Sequence, residues 1–225
     1  MAEAEKKKLF DTEQDHSPLF VNEVQRYMQQ RCMQQQQQQR YVEQAAREEG
    51  DKRNAGSALD GGRAERDALE ARCWTHDKVL QSPYLSDIWT MLDRMRPAYD
   101  KHGWDWSEKE DELFAEGMHF ILLLQQQQLI GFTIFLLDEE DEQWVVYCYE
   151  LHVAEGHKGK GLGKFLVECL EHVARHIGMV GIALTCFKDN DALRFYERTG
   201  FSIADHSPSK HNDPDAPYEI LMKRI

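Results

Sequence analysis

Residues 156 to 163 read Gly-His-Lys-Gly-Lys-Gly-Leu-Gly and pass without interruption into an amphipathic helix. Its apolar residues Leu162, Phe165, Leu166, Cys169, Leu170, Val173 and Ile177 form one stripe at helical spacing. An apolar strand, Gln143 to Val153, precedes the glycine loop, and another, Met179 to Cys186, follows the helix. Strand, glycine loop, helix and strand in this order close into a right-handed parallel unit. Gly159, Gly161 and Gly163 let the backbone approach a ligand closely, and the N–H groups that open the helix suit a pyrophosphate. The plainer alternative is that these glycines only form a tight turn.

What surrounds this unit excludes the common phosphate-binding folds. Met118 to Leu124 and Leu129 to Leu137 are rich in Ile, Leu and Phe and stand a hairpin length apart, so they pair antiparallel. Five carboxylates, Asp138 to Glu142, repel one another and predict a second hairpin turn that lays Gln143 to Val153 beside the preceding strand. A Rossmann fingerprint belongs to the first strand of a parallel sheet, whereas here antiparallel strands come first. A Walker A loop would end in Gly-Lys-Ser or Gly-Lys-Thr, which is absent. Upstream, Ser86 to Tyr99 reads as a helix with Ile88, Met91, Leu92 and Met95 on one face, and Ser107 to Phe114 as a second, with Ser107 as N-cap and Glu110 completing a capping box. Downstream, Asn190 precedes a helix, Ala192 to Arg198, ended by Gly200, and Phe201 to Ala204 and Tyr218 to Ile225 form a closing hairpin. The fold class is α/β in the α+β sense: a mixed, mostly antiparallel sheet around one parallel unit, flanked by helices.

The first seventy residues have another character. They contain the uninterrupted run Gln34 to Gln39 and a Gly-, Ala- and Asp-rich stretch from Asn54 to Arg63, and they read as a flexible Gln-rich leader, 1–70, with at most a helix through the Gln-rich part. The folded domain is expected over 71–225. Of the net charge of -13, the leader holds 11 basic and 14 acidic residues, so most of the acidity belongs to the domain. Affinity for phosphates rests on clustered Lys and Arg, so this balance argues against direct nucleic-acid binding and against an anionic membrane surface, while basic partners remain open. The longest apolar stretch, 129 to 137, is far short of a bilayer span, and MAEAEKKK has no apolar signal core, so a soluble intracellular protein is expected. Cys32, Cys73, Cys148, Cys169 and Cys186 are odd in number and lack Cys-x-x-Cys, which signals neither a disulfide framework nor a zinc site.

One strand residue is out of place. In Val145-Val146-Tyr147-Cys148-Tyr149-Glu150-Leu151-His152-Val153 a carboxylate interrupts an apolar run. A buried Glu must be paired or neutralised, and such groups gather at functional sites. Strict alternation puts Tyr147 and Tyr149 on one face and Glu150 on the other, while a bulge near Tyr149 would return Glu150 to the tyrosines. Taken alone, the pattern fits a hydrogen-bonded structural Glu and a catalytic one equally. Trp104 and Trp106 could wall a pocket, although tryptophans more often pack. His172 and His176 share a helix face without the His-Glu-x-x-His pattern of a zinc site and outside the apolar stripe, so a solvated face is expected and no metal.

The glycine loop behind a central strand, followed by Asn190 at the next helix, resembles the GCN5-related N-acetyltransferase (GNAT) superfamily. Its Arg/Gln-x-x-Gly-x-Gly/Ala motif falls on Lys158, Gly161 and Gly163, with Lys departing from the usual first residue. YCYELHV, GKGLGKFL, LTCFKDNDA, HSPS and YEIL, with Tyr99 and Trp104-x-Trp106, narrow the resemblance over about 86 to 222 to members that acetylate the N-terminal Ser of histone-4 and histone-2A, whose tails begin Ser-Gly-Arg-Gly. The resemblance implies acetyl-CoA as co-substrate, these tails as partners without a required auxiliary subunit, and a nuclear and cytoplasmic location. It implies that Leu151, His152 and Val153 pair with the pantetheine arm, that Lys158, Gly159, Lys160, Gly161, Leu162, Gly163 and Lys164 hold the pyrophosphate, and that Asn190 lies near the thioester. Glu150 would be the base, with Tyr147 or Tyr149 positioning the amine, and Tyr99, Trp104, Asp138, Glu140, Thr185 and Tyr218 would meet the substrate. Asp138 and Glu140 suit an Arg at the third substrate position. An acetyltransferase for Lys or a small amine, or a non-catalytic acyl-CoA- or histone-binding module, would share most of these features.

Overall fold

The computed structural model of the protein describes residues 21–34, 68–211 and 213–225. Among the described residues seven strands form one sheet in the order β1-β2-β3-β4-β5-β7-β6: β1 Leu69–Thr75, β2 His119–Gln125, β3 Gln128–Glu140, β4 Gln143–Val153, β5 Gly181–Phe187, β6 Ser202–Ile203 and β7 Tyr218–Arg224. β4 and β5 are the parallel pair, and every other neighbouring pair is antiparallel. Among the described residues the helices are α1 at 21–34, α2 His76–Leu80, α3 Leu85–Leu92, α4 Arg96–Lys101, α5 Trp106–Leu113, α6 Leu162–Ile177 and α7 Ala192–Arg198.

Helices cover both faces of the sheet, which is why β2 reads as continuously apolar rather than alternating. Ile121 and Leu123 face α6 and α1, while Phe120, Leu122 and Leu124 face α2, α3 and α5. The stripe on α6 is buried as its spacing predicts, except for Ile177, which is partly exposed at the last turn. Gly178, left-handed at φ +73°, ends that helix. All five cysteines are free and buried, packing as small apolar residues.

Several elements differ from the sequence reading. Residues 21–34 are a helix docked on the domain rather than leader: Val24, Met28 and Cys32, four apart, are buried in the core. The Gln25 side chain completes the free edge of β1, donating to Ala71 O (2.6 Å) and accepting from Cys73 N (2.7 Å). That short stripe was hidden by the Gln-rich sequence after it; Gln35 to Gln39 and the 54–63 stretch lie outside the described residues. β1 itself straddles the expected boundary at residue 70.

The helix expected over Ser86 to Tyr99 is split into α3, a 3₁₀ turn at Asp93–Met95 and α4, with Pro97 in the first turn of α4. Asp105, not Ser107, caps α5: its side chain accepts from Ser107 N at 2.8 Å, and Glu110 turns to Trp106 Nε1 (2.5 Å) instead of closing a capping box. The acidic turn is shorter than its charge suggests. Asp138, Glu139 and Glu140 continue β3, and only Asp141 and Glu142 turn, with φ of +49° and +60°. His172 is not on a solvated face: Tyr27 of α1 stacks on it at 3.6 Å, and Glu23 pairs with His176.

Candidate active site

β4 carries a bulge where the site needs one. Ile134 pairs with Glu150 but Phe135 with Cys148, so Tyr149 is the extra residue. Before the bulge Val146 and Cys148 pack towards α6; after it Leu151 and Val153 do. Tyr149 and Glu150 are thereby both delivered to the opposite face, beside Tyr99 of α4. Glu150 is 7% exposed, and its carboxylate is held by Tyr99 Oη (2.9 Å to Oε1) and His152 Nε2 (2.7 Å to Oε2). Burial pushes its pKa up. The bond and charge of His152, the charge of Lys109 and the Tyr99 bond outweigh that and hold it below the usual carboxylate value. Glu150 is therefore an ionised acceptor with both oxygens oriented.

The parallel strands part immediately beside it. β4 and β5 are in register only at Val146–Ile182 and Tyr147–Ala183. Beyond that point they diverge around a cleft of about 980 Å³, large enough for an extended ligand. Leu151, His152 and Val153 line one wall of it.

The glycine loop closes one end. Gly159 and Gly161 have φ of +74° and +83°, a left-handed backbone that side chains disfavour, although added Cβ atoms would strike nothing. Gly161 is the N-cap of the 16-residue α6 and supplies no side-chain cap, so the first N–H groups of that helix face the cleft. A Cβ on Gly163 would meet the Phe195 ring at 3.1 Å, so this glycine serves close packing of α6 on α7. Lys158 and Lys164 line the cleft, Lys158 paired with Glu155 (2.7 Å), whereas Lys160 is exposed and does not line it. Asn190 also lines it; its side-chain oxygen accepts from Ala192 N (2.9 Å) and starts α7.

The other end is aromatic. Tyr147 and Tyr149 lie 5.1 Å apart between ring centroids, and Tyr147 Oη is 2.7 Å from Thr185 Oγ1. Burial pushes the Tyr149 phenol up to about 12, helped by the charges of Glu112, Asp138 and Glu140. Tyr147 is also raised, by burial, against its bond to Thr185. Both stay protonated donors at neutral pH. Tyr99, Trp104 and Thr185 line the cleft, Tyr218 backs Trp104 edge-on at 5.8 Å, and Trp106 packs behind Tyr99. Asp138 and Glu140 stand beyond the lining, near enough to act on Tyr149. Glu140 lies 2.8 Å from His206 Nε2, and Asp138 accepts from Glu139 N.

Sequence reasoning missed several lining residues: Lys109 and Glu112 of α5, Arg94, Phe187, Phe195, Tyr196 and Arg198. Lys109 and Glu112 carried one signal, an oppositely charged pair at i and i+3. That pattern is so common on solvated helices that it points nowhere by itself. Cys148 and Cys186, which also line the cleft, have thiols pushed up to about 12 by burial and are poor nucleophiles.

An antiparallel meander, a bulged central strand, a diverging parallel neighbour and an uncapped glycine-led helix together match a known arrangement, and the sequence matches the acetyltransferase (GNAT) family over residues 85–201. The chain belongs to the GNAT family. It is 35% identical over 160 residues to N-alpha-acetyltransferase 40 of Saccharomyces cerevisiae, a match covering 63% of this chain and 54% of that protein. The chain thus spans little more than half the length of the curated relatives it matches. Among solved structures, an acetyltransferase from Streptococcus agalactiae superposes with a TM-score of 0.52 at 17% identity, covering 70% of this chain and 98% of the other. The PaiA N-acetyltransferase of Thermoplasma acidophilum, solved in complex with coenzyme A, gives 0.51 at 16% identity, covering 70% and 99%. These two likenesses establish the GNAT fold.

Proposed function

We propose that the protein is an N-alpha-acetyltransferase that transfers acetyl from acetyl-CoA to the N-terminal Ser amine of histone-4 and histone-2A tails. The observation that carries this reading is the bulge at Tyr149, which places an ionised, doubly hydrogen-bonded Glu150 among tyrosines at the point where the β4–β5 cleft opens. The likeness to the yeast N-alpha-acetyltransferase supports the choice of an α-amine.

Acetyl-CoA, as co-substrate, supplies a thioester-activated acetyl group. The uncapped N-terminus of α6 and the left-handed turns at Gly159 and Gly161 fit its pyrophosphate, Lys158 and Lys164 add positive charge, and Leu151 to Val153 offer backbone groups along the cleft. An α-amine has a pKa of roughly 7.7–8.0, so about a tenth or more is already neutral at pH 7 and only a modest base is needed. Glu150 takes the proton of the attacking amine, directly or through a water, while Tyr147 or Tyr149 orients it; the new C–N bond replaces the thioester C–S bond, and coenzyme A leaves as a thiolate that takes up a proton. A backbone N–H on the strand after Glu150 meets the developing oxyanion. The high thiol pKa values of Cys148 and Cys186 favour direct transfer over an acyl-enzyme. In this reading Asp138 and Glu140, at the end of β3, receive an Arg at the third tail position, with Glu140 exchanging His206 for it. No helix among the described residues is long and apolar enough to cross a membrane, and a histone substrate implies work in the nucleus, or in the cytoplasm before histone import.

The test is mass spectrometry of Ser-Gly-Arg-Gly tail peptides, free and N-blocked, incubated with the protein and acetyl-CoA. Acetylation confined to the free N-terminus supports the reading. Product on Lys of the blocked peptide would instead indicate a side-chain acetyltransferase, and turnover no greater than background a binding module.

A further inference from the structure

The substrate end of the cleft is crowded with carboxylates. Glu112 and Glu150 line it, and Asp138 and Glu140 act on it from the end of β3. Such a lining favours an ammonium ion, and an ammonium ion has no lone pair with which to attack a thioester. Left unbalanced, these charges would raise the pKa of a bound amine and oppose the transfer proposed above.

Lys109 stands among them. Its side chain is only 10% exposed, its Nζ lies 2.5 Å from Glu112 Oε2, and it sits 5.1 Å from the Tyr149 ring centroid and 5.8 Å from that of Tyr99. Its charge also reaches Glu150 and helps keep that carboxylate ionised. The pair with Glu112 lies within one helix, so it ties no two elements of the fold together, and an intrahelical pair contributes only about 0.3–0.5 kcal/mol. Its contacts with the Tyr149 ring on β4 and the Tyr99 ring on α4 do join elements, but at about 0.5–1 kcal/mol each they are offset by the cost of desolvating an ammonium, so fold stability alone gives little reason for a nearly buried lysine at this place.

We propose that Lys109 is a positioning residue for the reaction: held by Glu112 over Tyr149 and beside Glu150, its ammonium balances the carboxylates of the substrate end so that the incoming amine binds as the neutral base. The groups that face it are Glu112 on its own helix, Tyr99 on α4, and Tyr149 and Glu150 on β4, with His152 behind Glu150 and the β3 acids Asp138 and Glu140 behind Tyr149. This role rests on the α-amine acetyltransferase reading.

The experiment is the pH dependence of kcat, from about pH 6 to 9.5, with acetyl-CoA and a free-amine Ser-Gly-Arg-Gly peptide, for the wild type, Lys109→Met, Lys109→Arg and Glu112→Gln. Lys109→Met should move the acidic limb up by about one pH unit, giving roughly tenfold lower kcat near pH 6.5 and near-wild-type turnover above pH 9. Lys109→Arg should follow the wild type, and Glu112→Gln should move the limb down. A Lys109→Met enzyme slowed by the same factor at every pH, or a limb that does not move, overturns the proposal. Should Lys109→Met fail to fold by circular dichroism, Lys109→Gln takes its place, with the same upward shift expected and an unmoved limb overturning the proposal equally. A wild type that turns over no free-amine peptide at any pH overturns the acetyltransferase reading and this role with it; an active wild type with an unmoved limb overturns only the role of Lys109.

Discussion

Tyr99 Oη donates a hydrogen bond of 2.9 Å to Glu150 Oε1, joining α4 to the bulge of β4 across 51 residues of sequence. Both partners are buried, so the bond is made away from water, where a carboxylate left without a donor is costly. With His152 on the other oxygen, the carboxylate is fixed in direction as well as in charge. The site is thus built by two segments that meet only in the folded state.

The first prediction concerns Glu150. Glu150→Gln keeps the shape and the acceptor towards Tyr99 but removes the charge that His152 and Lys109 stabilise, so at pH 7 the thermal midpoint should fall modestly while kcat falls about 10²-fold or more, the usual scale for a lost general base. Steady-state kinetics beside a melting curve checks both. Near-normal kcat would remove Glu150 from the mechanism.

Gly161 separates conformation from contact. An Ala there meets no neighbour but must hold φ near +83°, a cost of about 1–2 kcal/mol, and it disturbs the N–H groups at the head of α6. Gly161→Ala should fold with a modestly lower midpoint and show a several-fold higher KM for acetyl-CoA at similar peptide KM. An unchanged acetyl-CoA KM would argue that the loop does not hold the pyrophosphate.

Much of this was legible in the sequence, and what was not has identifiable causes. The boundaries of β4, α6 and α7 coincide with the sequence reading because each has an unambiguous period and a glycine or charged turn at its end. The lone carboxylate of β4 left two arrangements open in the sequence, strict alternation or a bulge near Tyr149, and the structure has the bulge. α1 and β1 were not legible: one is a single stripe of three residues within polar sequence, and the other, with Glu70 and Arg72 between its apolar positions, pairs only with residues fifty positions away. Lys109 was invisible because its meaning comes from the tyrosines and carboxylates of other elements.

Acid should unfold the protein through identifiable groups. Glu150 and Glu219 are both buried and both have pKa values below the ordinary one: in each, burial pushes up and is outweighed, for Glu219 by bonds from Ser207 (2.6 Å) and Ser209 (2.7 Å) and the charge of Lys188. A folded-state pKa below the unfolded one means stability that is complete above about pH 4.3 and is lost as pH falls through the folded value. The melting midpoint should therefore be nearly flat from pH 7 to 5 with respect to these groups and drop below about 4. Glu219→Gln should cost about 1.5–3 kcal/mol of stability at pH 7, the scale for bonds to a charged group, lower the midpoint there and make the acid slope shallower. An unaltered slope in the variant would show that Glu219 does not carry this linkage.

The last prediction tests whether α1 belongs to the domain. Met28 is fully buried, and its helix is also bound to α6 through Arg31 with Glu168 and Glu23 with His176, and to β1 through both ends of the Gln25 amide. The exposed ion pairs contribute little, so the apolar contacts of Val24, Met28 and Cys32 carry most of the attachment. Met28→Ala deletes the longest of these side chains and leaves a cavity, at a cost of about 2–5 kcal/mol. For a chain of this size that lowers the melting midpoint by about 5 °C or more. It should also loosen β1, whose outer edge is completed by Gln25, so hydrogen exchange at Cys73 N–H should accelerate in step with the loss of stability. A wild-type midpoint and unchanged exchange in Met28→Ala would return residues 21–34 to the status of a leader, and the domain would then begin at β1.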